Sequence, residues 1–216
     1  MPYRINDLTQ HRSLFLGTNN KKKILELEQL LHPRGFALKT PKDFSDTFDV
    51  DETGTTFIEN ARLKAIAQAK HRGMWTIGED SGLCVLALNG APGVISARFS
   101  GPGATDESNN QLLLEQMKNI PLDRRQAYYI STIALADPDG EIHVETSGEC
   151  WGRVLREYRG HGGFGYDPLF EIGEYHQTFA ELGAAVKRAI SHRARSLRAF
   201  LRKLDDAISV SDGEIA

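Results

Sequence analysis

The sequence holds two cysteines in 216 residues, Cys84 and Cys150. That is too few for a disulfide framework or a thiolate metal cluster, so both are expected as buried thiols. No apolar run approaches the ~20 residues of a membrane-spanning helix, and residues 1–12 lack a signal-peptide core. A cytoplasmic protein without a membrane partner is expected. There is no excess of positive charge either. The 26 Lys and Arg against 29 Asp and Glu give a net charge of −3, which argues against nucleic acid as the main partner. Internal repeats, coiled-coil heptads and low-complexity tracts are missing, and no Gly-x-x-x-x-Gly-Lys phosphate loop occurs. What remains is 40% hydrophobic and 25% charged, an ordinary globular composition with enough chain to bury a core.

The stretch that organises the rest is Gly78-Glu79-Asp80-Ser81-Gly82-Leu83, after the apolar run Trp75-Thr76-Ile77. It reads as a strand ending in a tight turn. Neighbouring side chains on a strand point to opposite faces, so a turn at this point would be needed to swing Glu79 and Asp80 toward one opening. Like charges held close call for a cation beside them.

Before it, residues 1–12 read as a polar extension, and order is expected from Ser13-Leu14-Phe15-Leu16. Thr18, Asn19, Asn20, Lys21, Lys22 and Lys23 then lead into a helix capped by Asn19 or Asn20. Lysines in a first turn oppose the helix dipole unless an anion joins them. A short strand over Phe36–Leu38 and an exposed acidic loop over 41–56 follow. Next comes a helix whose packing face is Phe57, Ala61, Ala65 and Ala69; by itself, its Asn60–Lys64 pair reads as solvated surface. After the central acids, Cys84–Leu88 reads as a strand and Thr105–Asn119 as an amphipathic helix. Ala127–Ala136 and Ile142–Thr146 flank Asp137-Pro138-Asp139-Gly140 as an antiparallel hairpin. Glycines around Phe164, Gly165, Tyr166 and Asp167 suggest backbone close to a ligand, with Phe164 and Tyr166 offering ring faces. A basic amphipathic helix capped by Ser191 runs to about Leu204. The last residues, 205–216, form an acidic tail, which leaves 13–204 as a single domain.

Six motifs stand in one order: Thr18–Lys23, Phe57–Ala61, Glu79–Leu83, Gly93–Arg98, Gly163–Pro168 and Ser191–Arg193. On these the chain resembles the inosine triphosphate pyrophosphatase family, from about residue 14 to residue 204. The resemblance implies an α/β fold, with a mixed central sheet, flanking helices and two lobes around a substrate cleft, in a homodimer. It implies a purine nucleoside triphosphate substrate (ITP, dITP or XTP), Mg²⁺, and cleavage to a monophosphate and pyrophosphate. Matched position by position, Asp80 resembles the catalytic acid and a metal-side carboxylate, with Glu52 and Glu79 as further metal ligands. Thr18 to Lys23 and Lys64 match the triphosphate side, and Ser81 a substrate contact. Phe164 to Asp167, Lys187, His192 and Arg193 match the base side. One departure is Gly183, which stands where the family usually has a hydroxyl residue, weakening a helix cap. The alternatives are a Maf-type pyrophosphatase preferring pyrimidine or modified nucleotides, against which Ser191-His192-Arg193 argues, and a non-catalytic nucleotide-binding module.

Overall fold

The computed structural model describes residues 3–46 and 48–213. Order begins before Ser13. Ile5–His11 form a helix, α1, because Ile5 and Leu8 put two buried apolar side chains within one turn of the otherwise polar start. Strand β1 (Ser13–Leu16), helix α2 (Lys21–Leu31), strand β2 (Ala37–Lys39), helix α3 (Phe57–Arg72) and strand β3 (Thr76–Val85) follow. Both β2 and β3 pair parallel to β1, on its two sides. The two crossovers therefore run in opposite directions along the sheet, and their right-handedness places α2 and α3 on opposite faces.

Helix α4 (Asp106–Gln116) leads to strands β4 (Gln126–Ala136) and β5 (Ile142–Val154), the expected hairpin with a longer second arm. Its turn is closed by Asp137, whose Oδ1 accepts from the backbone N–H groups of Asp139 and Glu141 at 2.9 and 3.0 Å. Strands β6 (Phe170–Ile172) and β7 (Gln177–Thr178) complete a seven-stranded mixed sheet ordered β2-β1-β3-β4-β5-β6-β7. Helices α5 (Phe179–Ile190) and α6 (His192–Gly213) end the chain, so the last helix runs past Leu204, and Ala207 still packs on the core.

The chain forms two compact units. The first comprises residues 1–80, 132–147 and 196–216, the second 81–131 and 148–195. In the first unit the strands sort their residues by alternation. Leu14, Leu16, Ile77, Ile133 and Leu135 join the core made with α1, α2 and α6. Ala134 and Ala136 face the alanine stripe Ala61, Ala65 and Ala69 of α3. The second unit has its own core, where Leu83, Leu113, Met117, Tyr129, Phe170 and Phe179 meet.

Two local expectations are corrected. The tight turn at 78–82 does not exist, since β3 continues through it with every residue but Ser81 buried. Leu86–Leu88 form one 3₁₀ turn rather than the end of a strand. Gly78 is needed for close approach. A Cβ there would stand 2.1 Å from the Ala61 carbonyl oxygen and 2.6 Å from the Ala65 nitrogen, so only glycine lets β3 lie against the backbone of α3.

Candidate active site

Strand alternation settles the central acids. Ile77 and Glu79 take the face covered by α2, Gly78 and Asp80 the face covered by α3. Each acid meets a different lysine. Glu79 Oε2 lies 2.7 Å from Lys23 Nζ, in the first turn of α2. Asp80 Oδ1 accepts from Lys64 Nζ at 3.0 Å, and Asp80 Oδ2 from Asn60 Nδ2 at 3.2 Å. Glu79 and Asp80 are only 7% and 5% exposed, a burial that carboxylates tolerate when paired.

The local sequence explains how Asn60 and Lys64 reach them. Thr56 caps α3 by accepting from Glu59 N, while Glu59 Oε2 accepts from Thr55 N and Thr56 N, a capping box. That fixes the start of the helix, and Asn60 and Lys64, four residues apart, project together. Asn60 Oδ1 accepts from Gly54 N at 2.8 Å, and Lys64 Nζ donates to Glu52 Oε1 at 3.0 Å. The pair read as solvated surface is in fact buried, and Lys64 bridges Glu52 and Asp80. Burial works against the charge of Lys64, but Asp80, Glu52 and Glu79 outweigh it and hold its pKa above the ordinary lysine value. Burial also pushes the Asp80 carboxyl up; Lys64 pulls it down, and the charge of Glu52 adds to the rise.

Of the residues matched to the phosphate side, Asn20 is the helix cap. Its Oδ1 accepts from Lys23 N at 3.3 Å, and Thr18 Oγ1 accepts from Asn20 N at 3.2 Å. Asn19 and Lys21 are exposed, and the Lys22 side chain lies outside what the structure describes. Lys23 and Lys64 do not stand apart from the acids, since each is ion-paired with them. The clustered acids are thus already partnered by lysines, and their closeness alone does not require a metal. Among the described residues, the three-residue group of acids and histidines with ligand atoms within 4.8 Å is Asp137, Glu141 and His143, at the β4–β5 turn, and not Glu52, Glu79 and Asp80.

The second unit gathers the residues matched to the base. Asp167 is buried and accepts from Lys187 Nζ and, at 2.9 Å, from Phe164 N. Gly163 makes room for that carboxylate: its φ is +79°, and a Cβ there would lie 2.2 Å from Asp167 Oδ2. The Lys187 ammonium also stands 4.0 Å from the centre of the Phe164 ring. Arg193 Nη2 donates to Ser81 Oγ at 3.1 Å, and His192 stacks on Tyr129 with ring centres 4.8 Å apart. Ser191 Oγ accepts from Ala194 N, the expected cap of α6. Gly183 breaks α5 with φ 77° and ψ 171°, and the helix resumes beyond it to carry Lys187. Tyr166 offers no ring face: it is buried in the core of this unit, and its hydroxyl donates to the Ser96 carbonyl at 2.8 Å. Gly165 is held by Asp106 and Asn110, which the sequence reading did not single out.

These features define an α/β protein with a mixed sheet and a buried carboxylate–ammonium centre. The chain belongs to the Ham1 family, whose model matches residues 14–203. A relative named dITP/XTP pyrophosphatase from Rhodopirellula baltica is 50% identical over 191 residues, 88% of this chain and 92% of its own. Another of the same name, from Desulforamulus reducens, is 47% identical over 192 residues, 89% and 95% of the two chains. The solved structure of the Staphylococcus aureus Ham1 protein superposes with a TM-score of 0.79 at 34% identity, covering 94% of this chain and 99% of its own. The fold class expected from the resemblance, α/β with a mixed sheet and flanking helices, is borne out.

Proposed function

We propose that this chain hydrolyses non-standard purine nucleoside triphosphates (dITP, ITP and XTP) to the monophosphate and pyrophosphate. The observation that carries the reading is the Lys64-bridged pair of Glu52 and Asp80, with Lys23–Glu79 beside it in the same unit. Three carboxylates face two ammonium groups, leaving one net negative charge before a polyanionic substrate arrives. Carboxylate oxygens are hard donors of the kind Mg²⁺ takes, usually shared with substrate phosphates, so the donor chemistry suits that ion, while the three acids stand paired with lysines and not gathered in one ligand sphere. Glu52, Glu79 and Asp80 would hold it, and when bound it would neutralise charge on the phosphates.

The other steps fall to the chain's own groups. Lys23 and Lys64 are long enough to trade a carboxylate for a phosphate oxygen, and Thr18, Asn19, Asn20, Lys21 and Lys22 lie beside Lys23 in sequence. Asp80 is assigned to orient the attacking water and accept its proton. In the second unit, Lys187, His192 and Arg193 supply donors for the base, Phe164 a ring, and Ser81, Gly165, Tyr166 and Asp167 the support. A 6-keto oxygen accepts hydrogen bonds where a 6-amino group donates them, so hypoxanthine and xanthine are favoured over adenine. The names of the relatives, dITP/XTP pyrophosphatase, support that choice and do not favour a Maf-type or non-catalytic alternative. The reading includes a homodimer in the cytoplasm with neither a nucleic-acid nor a membrane partner. Among the described residues no helix is long and apolar enough to cross a membrane.

The test is a panel of nucleoside triphosphates with separate detection of pyrophosphate and orthophosphate. Pyrophosphate release from dITP and XTP, faster than from ATP and abolished by chelator, is the expected result. Orthophosphate as the first product, equal rates with ATP, or full turnover in chelator would each reject the proposal.

A further inference from the structure

One face of α3 carries a polar side chain every fourth residue, Asn60, Lys64, Gln68 and Arg72, and each of them grips the preceding loop. Asn60 accepts from Gly54 N, and Lys64 donates to Glu52. Gln68 is buried, and its Nε2 donates to the Phe48 carbonyl at 2.7 Å. Arg72 donates through Nη1 to the Asp46 carboxylate and lies over the Phe44 ring, its Cζ 4.4 Å from the centre. Beside it His71 stacks on Phe48 and meets the same Asp46. Going up the helix, the partners go down the loop: 54, 52, 48, then 46 and 44. The loop lies antiparallel to α3, clasped at successive turns.

We infer that Gln68 and Arg72 are positioning residues for Glu52, although neither touches a substrate or a metal. The inference rests on the proposed role of Glu52. Chain length shows why clasps are needed. Residues 60 to 72 advance about 18 Å along a helix at ~1.5 Å each, whereas residues 46 to 54 could extend over about 26 Å at ~3.3 Å each. The loop has slack, so its place beside the helix is set by the side chains that hold it. Loosening the far clasps leaves Glu52 in the right place for a smaller fraction of the time. Substrate binding can reorder the loop at saturation, so apparent affinity falls while kcat is retained. Losing one neutral hydrogen bond corresponds to roughly a 2- to 13-fold effect.

The experiment uses Gln68→Met, which keeps length and loses the donor, and Asp46→Asn, which weakens the Arg72 clasp from the exposed loop side and spares the packing. KM for dITP with Mg²⁺ is expected to rise about 3- to 10-fold in each, with kcat within about twofold, a split that general destabilisation does not produce. Amide exchange over residues 48–54 in the metal- and nucleotide-free protein should quicken. Both substitutions are then repeated in a Glu52→Gln background, where their effect on KM is expected to vanish. An unchanged KM in both single variants, or the same increase with and without Glu52, overturns the inference. Glu52→Gln with the parent's KM would instead remove the assignment of Glu52 itself.

Discussion

Lys64 is the single side chain whose loss tests the carboxylate centre most sharply. It holds Glu52 and Asp80 at 3.0 Å each and is itself 9% exposed. Lys64→Met keeps the stem and removes the charge, leaving Asp80 buried with Asn60 as a neutral donor. Removing one partner of a buried ion pair costs about 3–5 kcal/mol, because the other charge remains buried without compensation. Neutralisation sets a ceiling, since taking up a proton at pH 7 costs a carboxyl of ordinary pKa ~3.9 about 4 kcal/mol. The expected loss is therefore about 3–4 kcal/mol, or roughly 6–16 °C in melting temperature for a chain of this size.

The sign with pH follows. In the variant the folded state raises the Asp80 pKa further, so the penalty is full well above the folded value and vanishes once pH falls below the unfolded one. At pH 5 the ceiling falls to about 1.5 kcal/mol, so most of the deficit should disappear. Thermal melts of parent and variant in chelator at pH 5 and pH 8 make the comparison. Added Mg²⁺ should raise the melting temperature of the variant at pH 8 more than that of the parent, as a cation takes the place of the lost ammonium. A variant that melts within about 2 °C of the parent at pH 8, or with the same deficit at both pH values, would refute the pairing.

Gly78→Ala places a methyl group against two backbone atoms of α3, which cannot rotate away as a side chain could. A loss of at least about 1–3 kcal/mol in denaturant unfolding is expected, with reduced dITP hydrolysis as Asn60 and Lys64 shift; a variant as stable and as active as the parent would contradict the close approach. Arg193→Ala should lower kcat/KM for ITP far more than for ATP and so shrink their ratio. A constant ratio would remove Arg193 from base recognition.

Much of this was legible in the residues. The Asn20 cap, the start of α3 and the Asp137–Gly140 hairpin follow from local chemistry, which short-range hydrogen bonds enforce. The motif order pointed to the family and hence to the sheet. The errors at the central acids and on α3 share one physical origin. Adjacent carboxylates look like a surface turn unless the lysines that neutralise them are known, and Lys23 and Lys64 lie 56 and 16 residues from Glu79 and Asp80 respectively. The same gap hid the burial of Asn60 and Lys64. One signal was present: α3 carries alanines at every fourth position on one face, too small to fill space except against another backbone, so polar residues next to that stripe would be drawn in with it. Tyr166 misled in the other direction, because its ring looked available while its hydroxyl partner, the Ser96 carbonyl, is a backbone group 70 residues away. Helix α1 was missed because two apolar residues among polar ones carry too little periodic signal.

The alternation of β3 gives Gly78 a chemical role without any contact to the reacting groups. A slip of one residue would turn Ile77 and Glu79 toward α3 and bring Asp80 to the α2 side. Isoleucine would then meet the Ala61 carbonyl and the Ala65 nitrogen at a distance that even a methyl group cannot occupy. Only the register with glycine facing α3 allows contact. In that register Ile77 falls in the apolar core with Leu14 and Leu16, Glu79 meets Lys23, and Asp80 meets Lys64. The glycine thus decides which of two adjacent acids receives the lysine that also holds Glu52. An enlarged residue at 78 would disturb the centre by changing the partners of both acids, even where the strand itself still formed.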